Sequence, residues 1–311
     1  MVTGGAGFIG SGIVRALLAR GDKVRVLDNF FSGKRENLAE VAGQIELVEG
    51  DVRVEADLER ALAGVELVFH EAAIPSVPRS LVDPLSNHEA GATATLKLLM
   101  QAKKSGVRRV VYAASSSAYG DTPTLPKIET MKTSPLSPYA VSKLAGELYC
   151  QVFATAYGLE TVALRYFNVF GARQDPMSEY AAVIPRFITA ALAGKGVTIY
   201  GDGTQSRDFC YIDNTVEANL LAGSAPAAQV SGRVVNVACG AATTLNEVVA
   251  LLGEIQGRKI DVKYEPARVG DVKHSLADIT EAKTRLGYVG AVSFLDGLRR
   301  TFEWYAARAK L

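Results

Sequence analysis

The sequence is short of the residues that staple, ligate or span. Its three cysteines, Cys150, Cys210 and Cys239, are odd in number and far apart, so neither a disulfide framework nor a CxxC metal or redox pair can be drawn, and reduced, mostly buried thiols are expected. The three histidines, His70, His88 and His274, lack HxxxH or any other ligand spacing, which argues against a metal site. No apolar stretch approaches the ~20 residues of a membrane span. The N-terminus has neither the positive nor the apolar region of a signal peptide, so the expected address is cytoplasmic, with no membrane partner. Charge of one sign is not in excess. The 34 Lys+Arg against 33 Asp+Glu give +1, which leaves no bulk electrostatic case for nucleic acid and room only for a local basic site.

What is present is globular. Hydrophobic residues make 48% and charged residues 22%, which excludes disorder, collagen and coiled coil. At roughly 100 to 200 residues per domain, 311 residues allow one large or two modest domains. The apolar runs Val24 to Asp28, Ile45 to Glu49, Val65 to His70 and Arg109 to Ala114 read as buried parallel strands. Helical patterns at Gly7 to Arg20, Ala56 to Leu62 and about His88 to Ser105 alternate with them. That rhythm is repeated βαβ, hence an α/β fold with an open parallel sheet and helices on both faces. From about Phe167 longer loops rich in Gly, Pro and Asp take over, with helices such as Ala181 to Ala193 and Leu245 to Ile255, and a second, smaller lobe packed closely on the first is expected. Only Met1, Val2 and Thr3 precede the first glycine loop, so either the first strand is short or residues upstream are missing.

In Thr3-Gly4-Gly5-Ala6-Gly7-Phe8-Ile9-Gly10 the glycines Gly4, Gly7 and Gly10 recur every third residue between a strand and a helix. Gly4 allows the tight turn, Gly7 a close approach of backbone to a pyrophosphate and Gly10 the packing of helix on sheet, while the helix N-terminus faces the phosphate charge. Asp28 ends the second strand where a carboxylate meets adenosine ribose hydroxyls; it would repel a 2′-phosphate, which favours NAD over NADP. Asp51 and Val52 follow the third strand, suited to an adenine edge or to a plain loop acid.

Tyr139 and Lys143 are four apart in Pro138-Tyr139-Ala140-Val141-Ser142-Lys143 and share one face of a helix. A tyrosine, with a pKa of about 10, is a base near neutral pH only beside a cation, and Lys143 or a nicotinamide ring supplies one. Ser115 stands at the carboxyl end of the fourth strand, where open α/β sheets carry ligands.

TGGAGFIG, SSSAYG and YAVSK together resemble the extended short-chain dehydrogenase/reductase family. RYFNVFGARQDP, YAAVIPRF and IYGDGTQSRDFCYIDN, with RVGDVKHSLAD further on, resemble its nucleotide-sugar 4-epimerases, nearest the UDP-N-acetylglucosamine 4-epimerase branch, and the likeness covers essentially the whole chain. It implies a Rossmann-like doubly wound sheet at 1–166 with a returning segment at about 206–238, and a smaller C-terminal α/β nucleotide-sugar lobe at 167–205 and 239–311.

The resemblance also implies roles. Tyr139 removes the proton of the sugar 4-hydroxyl as C4 gives hydride to NAD, Lys143 holds the nicotinamide ribose and lowers the tyrosine pKa, and Ser115 supplies a hydrogen bond. The 4-keto sugar turns over and takes hydride back on its other face, so NAD stays tightly bound and is regenerated each turnover. Further cofactor contacts fall to Phe8, Ile9, Asn29, Ser32 and Gly33, then to Ala72 and Ala73, with Tyr166 touching the nicotinamide. Asn168, Arg207 and Arg268 meet the pyrophosphate of a UDP-sugar; without that matching, Arg207 reads as a salt bridge to an acid such as Asp208. Tyr200 lies at the uracil and Asp271 at the uridine ribose, and Ser76, Ser116, Ala182 and Val183 complete the substrate contacts.

Ser275 replaces a bulky tyrosine of glucose-restricted bacterial epimerases and leaves room for a 2-N-acetyl group, without excluding unsubstituted sugars. Pro75 replaces a cofactor-contacting lysine of some glucose-type enzymes, and Gly91 and Ala94 depart from the family's NxxGT motif. Sugar-nucleotide 4,6-dehydratases carry an Asp-Glu pair where this chain has Ser116 and Ser117, and decarboxylases usually keep a glutamate at the latter position. A non-catalytic NAD-sensing protein typically loses the Tyr-Lys pair. Relatives commonly dimerise through a four-helix bundle built from the helix after Asp83-Pro84 and the Tyr-Lys helix. Tyr149, Val152, Phe153, Leu98 and Leu99 either face that bundle or belong to the internal core.

Overall fold

Apolar runs buried on both faces become parallel strands, because only a sheet covered by helices on each side hides them completely. The computed structural model describes residues 1–176, 182–267 and 272–309. In chain order the first half holds β1 (Val2–Thr3), α1 (Phe8–Ala19), β2 (Val24–Asp28), β3 (Ile45–Glu49), α2 (Glu55–Leu62) and β4 (Leu67–His70). α3 (Val77–Val82), α4 (Pro84–His88), α5 (Ala94–Lys104), β5 (Arg109–Ser115), α6 (Pro138–Ala156) and β6 (Glu160–Tyr166) follow. Beyond them come β7 (Val169–Phe170), α7 (Val183–Leu192), β8 (Val197–Tyr200), β9 (Ser206–Arg207), β10 (Cys210–Tyr211) and α8 (Ile212–Ser224). The described chain finishes with α9 (Ala227–Val230), β11 (Arg233–Val237), β12 (Thr243–Thr244), α10 (Leu245–Gln256), β13 (Val262–Glu265) and α11 (Phe294–Ala309).

Seven parallel strands form one sheet in the order β11-β6-β5-β4-β1-β2-β3. The fold is the Rossmann-like doubly wound α/β type. The chain winds outward through β2 and β3, then returns to the other side of β1 for β4, β5 and β6, so the crevice of an open α/β sheet lies at the carboxyl ends of β1 and β4. β11 enters the sheet from far downstream and pairs with β6 from Arg233↔Val162 to Val237↔Tyr166. Outside the sheet, β8 and β13 pair in parallel, and α7, α10 and α11 pack together beside them.

One face of the sheet carries α1 and α8 over Ile13, Val14 and Val216; the other carries α2, α5 and α6 over Leu58, Leu98 and Phe153. Leu98, Leu99 and Phe153 are therefore internal core, Tyr149 packs against that core, and Val152 stays exposed. The helix expected from about His88 begins earlier, because Asp83 Oδ1 caps it by accepting from Ser86 N at 3.1 Å and Pro84 takes its first position. It then passes through a π-type turn, Glu89–Thr93, before α5. Two cysteines distant in sequence, Cys210 and Cys239, lie close enough for each thiol to shift the other's pKa, and all three cysteines are free. Among the described residues no helix is long and apolar enough to cross a membrane, and no group of His, Cys, Asp or Glu is arranged to hold a metal ion.

Candidate active site

The glycine loop joins β1 to α1 and faces the crevice. A β-carbon on Gly10 would lie 2.2 Å from Gly4 O, so a side chain there would break the turn that brings the first amides of α1 to the cleft. Asp28, at the end of β2, accepts from Ala6 N at 2.9 Å and from Phe30 N at 2.8 Å. Burial pushes its carboxyl up, and these two bonds oppose that shift. The carboxylate thus shapes the loop as well as the wall beyond it. Asp51 is bound by Arg53 at 2.7 Å and accepts from Asn29 Nδ2 at 2.8 Å, with the Arg53 bond foremost in holding it down to about 2. It is thus both a loop acid and part of the cleft wall.

α6 starts at the cleft because Ser137 caps it, accepting from Ala140 N at 3.2 Å, with Pro138 at the first position. Tyr139 is therefore in the first turn and Lys143 one turn on. Two nearly fully buried charges fix the helix beyond them: Arg165 of β6 binds Glu147 through Nε at 2.8 Å and Nη2 at 2.7 Å. Ser115, the last residue of β5, lines the cleft with Tyr139 and accepts from Ser117 Oγ at 2.8 Å. Burial pushes the Tyr139 phenol up and Ser115 opposes the shift.

Lys143 lies one turn beyond Tyr139 on the same helix. Its Nζ donates to Ala113 O at 2.7 Å and stands 5.2 Å from the Tyr112 ring centroid. Burial pushes the ammonium down to about 8, and Glu71 opposes the shift. Tyr166, the last residue of β6, donates to Glu71 Oε1 at 2.7 Å.

These groups share one cleft of about 1310 Å³, larger than the roughly 300 to 1,000 Å³ of a single-ligand pocket. Gly4, Gly7, Phe8, Ile9, Gly10 and Asp28 line one end, with Asn29, Ser32, Gly33, Asp51 and Val52 beside them. Ala72, Ala73, Ser115, Ser116, Tyr139, Lys143, Tyr166 and Ser275 line it as well. A second cavity of about 580 Å³ shares Asn168, Ala182 and Arg207 with the cleft and takes in Val183 and Tyr200. Arg207 joins the two spaces, donating to Ser206 O at 2.9 Å and Lys273 O at 3.1 Å. Asp208, the acid weighed as its partner, is held instead by the backbone amides of Cys239, Gly240 and Ala277. Asn168 adopts φ +33°, a strained conformation at the junction of the two spaces.

Ser76 is not brought to the site. It lies outside the cleft lining, and its hydroxyl caps α3 by accepting from Arg79 N at 3.2 Å. Arg268 and Asp271 lie outside the described residues. Glu71 went unnoticed in the sequence, although a carboxylate directly after a central strand stands where such sheets hold ligands.

Residues 1–238 match the family described as the NAD dependent epimerase/dehydratase family. The chain is 38% identical over 315 aligned positions to the UDP-glucose 4-epimerase of Mycolicibacterium smegmatis, covering 100% of this chain and 99% of the relative. The crystal structure of Thermotoga maritima UDP-glucose 4-epimerase with UDP-glucose superposes with a TM-score of 0.93 at 39% identity, covering 99% of this chain and 98% of that one. The UDP-N-acetylglucosamine 4-epimerase of Methanobrevibacter ruminantium, solved with UDP-N-acetylmuramic acid, gives a TM-score of 0.91 at 42% identity, covering 99% and 97%. With a glycine loop and carboxylate suited to a dinucleotide and a Ser-Tyr-Lys set at the sheet edge, the chain belongs to the NAD dependent epimerase/dehydratase family and is an NAD-dependent enzyme.

Proposed function

We propose that the chain is a UDP-sugar 4-epimerase that inverts C4 through a transient 4-keto sugar, accepting 2-N-acetylated sugars. The observation that carries this reading is that Ser115, Tyr139 and Lys143 line one cleft together with the glycine loop and Ser275. Tyr139 takes the proton of the sugar 4-hydroxyl, Ser115 orients that oxygen, and the same phenol returns the proton to the other epimer. NAD, when bound, supplies the hydride acceptor for C4 and a ring that is positively charged in its oxidised form. Gly4, Gly7, Gly10 and Asp28 would hold its adenosine diphosphate end, and Lys143 and Tyr166 its nicotinamide end.

In the same proposal Asn168 and Arg207 bind the pyrophosphate, with Tyr200, Ala182 and Val183 about the uridine. Support comes from the second cavity, which all five line. The nucleotide-sugar lobe then comprises 167–205 and 239–311. Ser275 leaves room for an acetamido group; its amide donates to Ser206 O at 3.0 Å, which fixes a short side chain at the cleft. The likeness to an enzyme named for an N-acetylated sugar supports this choice.

A homodimer belongs to the proposal. α3 and α4 pack along α6, and Leu81, Val82 and Leu85 are exposed near Val141, Leu148 and Val152, an apolar face of the kind a four-helix bundle covers. Free thiols throughout suit the reducing cytoplasm. The deciding experiment is a panel of UDP-glucose, UDP-N-acetylglucosamine and UDP-glucuronate given to purified protein without added NAD and scored for C4 inversion. Inversion of the first two is expected; none on any sugar overturns the reading.

A further inference from the structure

Ser115 and Ser275 line one cleft from segments far apart in the sequence, and one buried side chain, Asn236 of β11, ties those segments together. Its Oδ1 accepts from Tyr119 Oη at 2.7 Å, and Tyr119 ends the short turn Ser116–Tyr119 that follows Ser115. Its Nδ2 donates to Lys127 O at 3.0 Å and to Asp278 O at 3.2 Å, which uses both hydrogens of the amide. Lys127 in turn donates its own amide to Leu276 O at 2.8 Å and accepts from Asp278 N at 2.9 Å, pairing with Ala277 as a parallel strand would. The backbone N of Asn236 is held as well, by Glu129 Oε1 at 2.8 Å. The Tyr119 ring reaches a third wall of the cleft. Arg165 lies over it at 4.6 Å from the centroid and makes the buried pair with Glu147 of α6, the helix of Tyr139. Glu147, Arg165, Tyr119, Asn236 and Lys127 are all buried, so the connection from α6 to the Ser275 segment runs through the interior.

We propose that Asn236 is a positioning residue for the reaction: it fixes how far the Ser275 segment stands from the wall of Ser115 and Tyr139, and with it the grip of the cleft on the glycosyl group of a UDP-sugar. The proposal rests on the reading of that cleft as the sugar site. A buried amide whose hydrogen bonds are met in one geometry rigidifies what it joins, because any other spacing leaves a polar group unpaired in the interior. The second cavity, read as the nucleotide site, is built chiefly by α7 and β8. A change at Asn236 should therefore separate recognition of the sugar from recognition of the nucleotide.

Calorimetric titration of the NAD-loaded protein with UDP and with UDP-N-acetylglucosamine reads that separation. Asn236→Ala removes all three side-chain bonds, and the ratio of the UDP-N-acetylglucosamine Kd to the UDP Kd should rise by about fivefold or more while UDP itself stays within about twofold of the wild type. Tyr119→Phe removes one hydroxyl, keeps the ring beside Arg165, and should raise the same ratio by a smaller factor; it decides the matter if the alanine variant does not fold. Both substitutions break the bond between Tyr119 and Asn236, so the double variant should bind UDP-N-acetylglucosamine no more weakly than Asn236→Ala alone. Equal weakening of UDP and UDP-sugar would show a merely structural role, and fully additive losses would mean that Tyr119 meets the sugar independently of Asn236. Either result overturns the proposal, as does unchanged binding of both ligands. None of these measurements needs turnover. A wild type that inverts C4 of no sugar would remove the proposed reaction, and the Kd ratio would still decide whether Asn236 sets the grip on the sugar.

Discussion

Gly91 and Ser142 meet so closely that a β-carbon on the glycine would lie 2.6 Å from Ser142 Oγ and 2.9 Å from its Cβ. Ser142 precedes Lys143, and its hydroxyl is already committed to Asn87 Oδ1 at 2.9 Å, with Asn87 in turn bonded to Ile74 O at 3.0 Å. Gly91, one of the two residues that depart from the family's NxxGT motif, therefore lets the π-type turn seat against α6. Gly91→Ala should cost about 1 to 3 kcal/mol as an overpacking substitution, measured by denaturant unfolding. It should also lower kcat more than it raises KM, because α6 carries the proposed acid-base pair. A fully stable and fully active variant would mean that α6 yields without cost.

Tyr139→Phe removes the phenol that the proposed reaction uses twice. Turnover should drop by about 10²- to 10⁴-fold, with the fold intact by circular dichroism. Ser115→Ala takes away the hydroxyl that shares the cleft with Tyr139 and should cost less. Near-normal rates in the phenylalanine variant would remove the assignment.

Ser275→Tyr tests sugar choice. Conversion of UDP-N-acetylglucosamine should disappear while UDP-glucose is still turned over, measured as the ratio of kcat/KM for the two. Equal losses on both sugars would show that this side chain does not gate the acetamido group.

His70 gives a pH dependence of stability. Burial, with Lys143 adding to it, pushes its pKa from 6.5 down to about 3, while Nδ1 and Nε2 bond the hydroxyls of Thr3 and Thr95. Between those values the unfolded chain binds a proton that the native ring does not, so stability falls as pH falls from about 6.5 toward about 3. This one group contributes a slope of about 1.4 kcal/mol per pH unit in that window. His70→Gln should be less stable at neutral pH but lose that part of the slope in unfolding measurements. Parallel curves for the two proteins would contradict a neutral buried imidazole.

The central strands β2, β4 and β5 are legible because burial on both faces writes them as near-continuous apolar runs, whereas β3 is an edge strand with Glu46, Leu47 and Glu49 exposed. The glycine loop, Asp28 and the Tyr139–Lys143 spacing were legible for a similar reason: each is a local requirement of turn or helix geometry. Ser76 caps α3 by accepting from Arg79 N, a local role that its place before Val77-Pro78 already offers. The helix after Asp83 was read late because a π-type turn breaks the 3.6-residue period that a sequence pattern reveals.

The sequence by itself determined a parallel α/β sheet, a phosphate-ready loop and a tyrosine and lysine one turn apart, since all of these follow from neighbours along the chain. Only the tertiary structure decided that Lys143 donates to Ala113 O, that Cys210 meets Cys239, and that Tyr166 donates to Glu71. Those relations join segments tens of residues apart, and burial rather than spacing fixes how strongly each charge is felt.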